Sequence, residues 1–214
     1  MILSTLGLTV KYDNKTIIND INIELNQGEI LGILGKNGSG KSTLCLAIAG
    51  LLSSDAEMFG KVKILGKDFY QLSRAEKSDY IGIVFQNPDT QLFSPTVEDE
   101  LAFAPENLCL SRAEIEARIK YALELCNISH LRERHTNTLS GGEKQLVALA
   151  SVLTMRPRIL IADELTASID EDRRPQIYDI LRKHATLGAV ILVTHDKEET
   201  AVCTRTITLM GTRE

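Results

Sequence analysis

The sequence predicts an α/β fold with a mostly parallel β-sheet, and three observations support this. The runs 29–34 (EILGIL), 158–163 (RILIAD) and 189–194 (AVILVT) are apolar almost throughout, as strands are when both faces of their sheet are covered. A glycine-rich loop directly follows the first run. Helical patterns lie between the runs, and such alternation is typical of parallel sheets.

The first third of the chain predicts strands around one helix. Segments 3–12 and 16–25 alternate apolar and polar residues, as half-buried strands do. Segment 44–52 (LCLAIAGLL) is apolar all round, which predicts a buried helix. The runs 61–66 and 80–85 predict two more strands.

The middle of the chain predicts helices. One begins at Ser111, in a capping box closed by Glu114, and a second runs from about Gly141 to Met155. The apolar residues of the first fall on one helical face: Ile115, Ile119, Ala122, Leu123 and Cys126.

After residue 157 the α/β pattern resumes. A helix over 171–185 carries Pro175 near its first turn, and 205–210 (RTITLM) predicts a last short strand. The expected organisation is a single domain over 1–214, with a core of 1–87 and 158–214 and a helical insertion at about 88–157.

Composition excludes several classes of protein. The 214 residues are 43% hydrophobic, enough for one well-buried domain, and contain no apolar run approaching the 18 residues of a membrane span. A net charge of −5 argues against a nucleic-acid partner, since phosphate binding usually needs a basic excess. The N-terminus lacks a secretion-signal pattern, and the four cysteines form no CxxC pair, so we expect thiols in a reducing cytosol.

The glycine-rich loop GKNGSGKST predicts a triphosphate site. Gly35, Gly40, Lys41 and Ser42 match the spacing GxxxxGK[ST], in which backbone N–H groups and a helix N-terminus surround the phosphates. Lys41 is expected to reach the terminal phosphates, and the Ser42 hydroxyl to bind Mg²⁺. The other ATP-binding candidates in this loop are Lys36, Asn37, Gly38, Ser39 and Thr43.

Polar residues follow three of the predicted strands, at the sheet edge where open α/β folds bind ligands. Gln86 follows 80–85, Asp163 and Glu164 end or follow 158–163, and His195 follows 189–194. Asp163 and Gln86 suit Mg²⁺, Glu164 can polarise the attacking water, and His195 can contact the γ-phosphate. Taken singly, Gln86 could merely cap a loop, Asp163 could cap a helix, and His195 could be a bystander beside a capping box at 196–199. All of them, however, follow strands in a chain with a phosphate loop.

Tyr12 follows the first predicted strand and could stack on the nucleotide base. The alternative is an ordinary aromatic residue at the edge of the first sheet.

A second glycine pair lies in TLSGGEKQ, at 138–145. Ser140 and Glu143 have capping-box spacing, but a cap alone does not require Gly141 and Gly142, each of which costs a helix about 1 kcal/mol relative to alanine. Bare backbone N–H groups at a helix N-terminus form an anion site. A second anion site is useful if it closes on the triphosphate of a partner subunit, because ATP would then hold the two subunits together as a dimer.

The sequence LSGGEKQ after a phosphate loop, followed by ILIADE, ASID and VTHD, resembles the nucleotide-binding subunits of ATP-binding cassette (ABC) transporters over essentially the whole chain. The resemblance implies a P-loop NTPase core with an N-terminal antiparallel β-subdomain and an inserted helical subdomain. It also implies two ATP molecules sandwiched in a head-to-tail dimer, with segment 140–143 as the signature motif, Ser168 and Asp170 in the D-loop, and Gln86 in the Q-loop. Tyr12 matches the A-loop and His195 the switch histidine.

The segment 84–108 (VFQNPDTQLFSPTVEDELAFAPENL) is similar to ATPase subunits of energy-coupling factor (ECF) importers, which take up vitamins and transition-metal ions such as cobalt. Two departures stand out. Leu165 replaces the usual proline after Glu164, which is expected to loosen the turn and slow hydrolysis, and the sequence ends without the C-terminal extension of many relatives.

The resemblance therefore implies an Mg²⁺-dependent ATPase, peripheral on the cytoplasmic face of the membrane, with a second ATPase subunit and a transmembrane subunit as partners. The alternatives are the ATPase of another ABC importer or exporter, and a nucleotide-gated clamp with little hydrolysis, for which Leu165 is the sequence support. A DNA-repair ATPase of the same superfamily would need long coiled-coil insertions, which this sequence lacks.

Overall fold

The computed structural model describes residues 1–13, 15–167, 169–196 and 198–211. Nine strands and six α-helices lie in these residues. The strands are β1 (Leu3–Tyr12), β2 (Lys15–Leu25), β3 (Ile30–Leu34), β4 (Ala56–Ile64), β5 (Lys67–Asp68), β6 (Ile81–Val84), β7 (Ile159–Asp163), β8 (Ala189–Val193) and β9 (Arg205–Thr208). The helices are α1 (Lys41–Ala49), α2 (Arg74–Tyr80), α3 (Val97–Asn107), α4 (Arg112–Leu125), α5 (Gly141–Leu153) and α6 (Arg174–Leu187).

The central sheet has the order β6-β7-β8-β3-β9, and its paired strands are all parallel. Every residue of β7 and β8 is buried, as their continuous apolar sequences predict. Because the strands are parallel, their carboxyl ends share one edge of the sheet, and the residues that follow them are brought together there.

A second sheet, with the order β2-β1-β4-β5, is antiparallel. One apolar core fills the space between this sheet, α1 and one face of the central sheet, with Leu8, Ile33 and Leu44 among its fully buried members. The predicted α/β class, with a parallel sheet and a separate antiparallel sheet, is confirmed.

Helices α3, α4 and α5 all lie between β6 and β7 in the chain and pack on one another. A second core joins them to α6 and the other face of the central sheet, through residues such as Leu101, Leu123 and Leu149. The helices fall within the predicted insertion at 88–157, whose bounds as a subdomain stay a prediction.

Several helix ends differ from the sequence prediction, including both ends of α6 (Arg174–Leu187, predicted over 171–185) and the end of α5, and two differences have a clear local cause. Helix α1 stops at Ala49, short of the predicted residue 52, because Gly50 adopts a left-handed conformation (φ 70°) that ends it. At α4, Ser111 accepts a hydrogen bond from the backbone N–H of Glu114, but the Glu114 carboxylate binds Arg118 at 2.8 Å instead of closing the capping box.

Within the described residues, no helix is long and apolar enough to cross a membrane.

Candidate functional site at the carboxyl edge of the parallel sheet

The phosphate loop connects β3 to α1 and adopts backbone angles that need glycine. Gly40 has φ 92°, and a Cβ atom there would lie 2.6 Å from Ile18 Cγ2 and 3.0 Å from the Ile17 carbonyl oxygen. No side chain caps the N-terminus of α1. The backbone N–H groups of its first turn are therefore available to an anion, as the sequence predicts.

Lys41 lies at the centre of this loop. Its side chain is only 6% exposed, and Nζ donates hydrogen bonds to the carbonyl oxygens of Gly35 (3.0 Å) and Lys36 (3.2 Å). Nζ also lies 3.9 Å from Glu164 Oε1. The ammonium group is therefore fixed between the loop backbone and the residue that follows β7.

A cleft of about 460 Å³ opens beside the loop. It brings together eight of the predicted site residues and one that the sequence analysis did not identify, Ile17 of β2. The lining residues are Ile17, Asn37, Gly38, Gly40, Lys41, Ser42, Thr43, Gln86 and Glu164. Ile17 gave no signal in the sequence, because it is one apolar residue of an alternating strand.

Asp163 ends β7 as a buried carboxylate. It is 6% exposed, and its Oδ1 atom has no hydrogen-bond partner among the described residues. Burial raises the pKa of Asp163, and the negative charge of Glu164 raises it further. A hydrogen bond with Ser42 and the positive charge of Lys41 act in the opposite direction, but the pKa remains above its ordinary value. An unpartnered carboxylate oxygen beside the Ser42 hydroxyl fits a hard cation such as Mg²⁺.

Glu164 occupies a strained turn and contacts three predicted site residues. Its φ is 48°, which is uncommon for a residue with a side chain. Gln86 Nε2 donates to Glu164 Oε2 at 2.8 Å, and His195 Nδ1 lies 3.5 Å from Oε1, the oxygen that also faces Lys41. The carboxylate is thus held between the amide, the imidazole and the ammonium group.

The turn after Glu164 is well packed, contrary to the expected loosening by Leu165. Leu165 is fully buried in the helical core. The Glu164 N–H donates to the Val193 carbonyl (3.0 Å), and the Ala167 N–H donates to the Glu164 carbonyl (3.1 Å). Leucine therefore anchors this turn; slow hydrolysis stays a prediction.

His195 borders a smaller cavity of about 140 Å³, on the other side of Glu164. Arg174, at the start of α6, also lines this cavity and pairs with Asp196 at 3.1 Å. The Asp196 N–H donates to Thr194 Oγ1 at 2.9 Å. Arg174 ties α6 to the residue next to His195 and was not among the residues predicted from the sequence.

Several predicted residues lie outside the cleft. Gly35 and Lys36 contribute the carbonyl oxygens that bind Lys41, and Ser39 is buried in the loop. Tyr12 ends β1, and its hydroxyl accepts a hydrogen bond of 3.5 Å from Ser53. Asp170 precedes a short 3-10 turn and is exposed, whereas Ser168 lies outside the described residues.

Segment 140–143 begins α5, and none of its residues is among the described residues that line the cleft. The predicted capping box is present. The Ser140 N–H donates to Glu143 Oε2 (2.8 Å), and the Glu143 N–H donates to Ser140 Oγ (3.3 Å). Hydrogen bonds from the Ser140 backbone and side chain to the Glu143 carboxylate lower its pKa. A Cβ atom added at Gly141 would meet nothing within 4 Å, so packing within the described chain does not require this glycine.

Comparison with known proteins identifies the family of this chain. Residues 18–167 match the sequence profile of the ABC transporter family. The chain is 43% identical over 199 residues to the energy-coupling factor transporter ATP-binding protein EcfA of Methanosarcina acetivorans, covering 92% of this chain and 72% of that protein.

Two solved structures share the fold. One is cbiO1 from Clostridium perfringens, part of the ABC transporter complex cbiONQ, with a TM-score of 0.85 and 35% identity over 97% of this chain and 84% of that one. The other is the ATP-binding cassette MJ0796, a post-hydrolysis dimer with ADP and Pi, with a TM-score of 0.84 and 26% identity over 97% and 94% of the chains. The chain therefore belongs to the ABC transporter family and is an ABC-type ATPase subunit.

Proposed function

We propose that this chain is the ATP-hydrolysing subunit of an importer of the energy-coupling factor type, which takes up a vitamin or a transition-metal ion such as cobalt. The names of the EcfA relative and of cbiO1 support the type of transporter. The observation that carries the chemistry is the convergence of Lys41, Gln86 and His195 on the Glu164 carboxylate.

The phosphate loop and Lys41 would bind the triphosphate of ATP, while Tyr12 would stack on its base. Mg²⁺ would be held by Ser42, Asp163 and Gln86. No group of three or more His, Cys, Asp or Glu side chains able to hold a metal occurs in the described part of the chain, which fits an ion held largely by phosphates and water. When bound, Mg²⁺ would neutralise charge on the phosphates.

Glu164 would act as the general base that polarises the attacking water. The Gln86 amide donates a hydrogen bond to one oxygen of the Glu164 carboxylate at 2.8 Å, and this bond fixes the orientation of the carboxylate. His195 is 60% exposed and its Nδ1 lies 3.5 Å from Glu164 Oε1, so we expect the ring to reach a γ-phosphate bound beside Glu164 and to respond to its loss.

The signature segment 140–143 would act on the nucleotide of a second ATPase subunit. Ser140 and Gly141 are exposed at the N-terminus of α5, away from the chain's own cleft. Closure of two such subunits would place this helix N-terminus against the partner's γ-phosphate, and Asp170 of the D-loop would lie in the same interface.

An apolar groove of about 250 Å³ between β6, α3 and α5 supports a transmembrane partner. Phe93 (64% exposed) and Phe103 (46% exposed) stack edge to face at 4.5 Å on its rim. The buried Glu100 carboxylate accepts hydrogen bonds from the N–H groups of Phe93 (3.0 Å) and Ser94 (2.8 Å), which holds Phe93 in this position. Exposed aromatic pairs of this kind are typical of protein interfaces.

A hydrogen bond joins the lining of this groove to the residue before Gln86. Gln91, which lines it, accepts a hydrogen bond from the Phe85 N–H at 3.1 Å, and Phe85 immediately precedes Gln86. If a helix of the transmembrane partner binds in this groove, its motion would displace Gln86, which donates a hydrogen bond to Glu164. The proposed location is peripheral, on the cytoplasmic face of the membrane.

The first experiment measures Mg²⁺-dependent ATP hydrolysis as a function of protein concentration. We expect turnover per subunit to rise with concentration and to be lost in Glu164→Gln and in Ser140→Ala. ATP binding without turnover in the chain alone and together with its transmembrane subunit would instead support the nucleotide-gated clamp. Turnover that ignores both concentration and Ser140→Ala would contradict the role of the signature segment.

The second experiment tests the importer. In cells that express the chain, Phe93→Ser with Phe103→Ser should release it from the membrane fraction, whereas the matched change Phe59→Ser, at an exposed phenylalanine on β4, should not. Uptake of labelled cobalt ions and of labelled vitamins, compared between cells with the parent chain and with Glu164→Gln, then identifies the substrate class. Unchanged uptake of all of them would point to another kind of ABC transporter.

A further inference from the structure

A second cavity of about 460 Å³ lies at the opposite edge of the parallel sheet. Arg158 immediately precedes β7, and Leu187 closely precedes β8, so the cavity faces the amino ends of these two strands. The catalytic residues follow the carboxyl ends of the same strands. The cavity is therefore separate from the nucleotide cleft and is not used in the proposed ATPase mechanism.

The walls of this cavity are apolar and accessible. Tyr121 of α4 is 40% exposed and Leu187 of α6 is 65% exposed, and Leu153 and Pro157 complete the apolar lining. A cavity of this size and lining is within the range that binds small organic molecules.

Two guanidinium groups face the same space. Arg156 lies over the Tyr121 ring, at 5.9 Å from its centroid, and its charge is partly balanced by Glu114 at 3.3 Å. Arg158 lines the cavity and makes no ion pair or side-chain hydrogen bond with any described residue. The site therefore offers one unbalanced positive charge beside apolar surface, a combination that favours an anion with an apolar body.

His184 supplies an independent polar group. It lines the cavity, is only 7% exposed, and its Nε2 atom has no hydrogen-bond partner among the described residues. A buried polar atom without a partner is unfavourable, and a ligand that supplies a partner removes this penalty. A neutral imidazole can donate one hydrogen bond, which a carboxylate can accept.

We propose that this cavity binds a small amphipathic carboxylate, with its carboxylate at Arg158 and His184 and its apolar body against Tyr121 and Leu187. These four residues line neither the phosphate-loop cleft nor the groove at Phe93. The test of this site therefore stands apart from the test of the ATPase.

The experiment titrates the isotopically labelled protein, without nucleotide, with octanoate, octanol and acetate, and follows the backbone amide resonances of Arg156, Arg158 and residues 184–188. Octanol keeps the apolar chain without the charge, and acetate keeps the charge without the chain. We expect octanoate to bind about tenfold more tightly than either, because it alone uses both features of the site.

Two variants and one control complete the test. Arg158→Gln and Leu187→Gln should each weaken octanoate binding about fivefold or more, since one removes the charge and the other the apolar wall. Arg182→Gln removes an exposed arginine of α6 that pairs with Asp179 at 2.9 Å outside the cavity, and it should leave binding unchanged. Equal binding of octanol or acetate, shifts confined to other residues, or indifference to both variants would overturn the proposal.

Discussion

The glycine at position 141 provides a sharp test of whether the signature segment serves a partner subunit. Gly141 is the first residue of α5, and a Cβ atom there would meet nothing within 4 Å. Gly141→Ala should therefore fit the isolated chain without strain. In a closed dimer, however, the added methyl group would lie where the partner's phosphates approach the helix N-terminus.

The two effects of this substitution have opposite signs. Alanine is more favourable than glycine in a helix by up to about 1 kcal/mol, and for a domain of this size that corresponds to a rise in melting temperature of roughly 2–4 °C at most. ATP turnover should fall about tenfold or more, because the loss of even ~1.4 kcal/mol of transition-state stabilisation has that effect.

The assay pairs thermal unfolding, without nucleotide, with steady-state ATP hydrolysis at a concentration that supports the dimer. Arg112→Gly is the matched control, since Arg112 is the first residue of α4 after a serine cap. It should lower the melting temperature and keep turnover. If Gly141→Ala lowers stability, the open space described at this position is wrong; if it keeps full turnover, the glycine does not serve a partner.

Three further predictions concern other parts of the chain. Gly40→Ala should abolish ATP binding, measured by equilibrium dialysis, because its Cβ would lie 2.6 Å from Ile18 Cγ2. Gly38→Ala shares the left-handed backbone (φ 78°, against 92° at Gly40) but has nothing within 4 Å, so it should weaken binding less, and equal losses would contradict the packing argument. Arg174→Gln should lower kcat about threefold or more with little change in the Kd for ATP, because it breaks the 3.1 Å pair with Asp196, the residue next to His195. Arg182→Gln is the control, and an equal effect of that substitution would argue against a positioning role for Arg174. His184 should make the fold acid-sensitive, because burial lowers its pKa from 6.5 to about 4. The free energy of unfolding should therefore be at its full value above pH 6.5 and should fall by on the order of 3 kcal/mol as the pH drops from 6.5 to 4. Arg156 and Arg158 line the same cavity but keep their charge over this range, so His184→Leu should flatten the measured pH dependence of the unfolding free energy, and an unchanged slope would refute the assignment.

Much of the fold could be predicted because the strongest sequence patterns are local. The buried strands β7 and β8 are continuous apolar runs, and their parallel arrangement is enough to place Asp163, Glu164 and His195 at one edge. The conformation of the phosphate loop could be predicted from the spacing of its glycines.

Contacts between distant segments could not be predicted in this way. The order of the central sheet places β3 between β8 and β9, and no periodicity within a single segment encodes such pairing. Ile17 enters the nucleotide cleft from the antiparallel sheet, and the Arg174–Asp196 pair joins a helix to a loop 22 residues further along the chain. The Glu114 carboxylate also accepts a hydrogen bond from Arg118 instead of closing the capping box at Ser111, and residue spacing alone does not predict which of the two forms.

The left-handed backbone at Glu164 also has a consequence for how this protein can change over evolutionary time. A residue with a side chain at φ 48° stores conformational strain, of order 1–3 kcal/mol for such conformations, which glycine would relieve. The substitution that best relaxes this turn is therefore one that deletes the proposed catalytic carboxylate. Selection for stability alone would therefore favour the loss of the proposed catalytic carboxylate at this position.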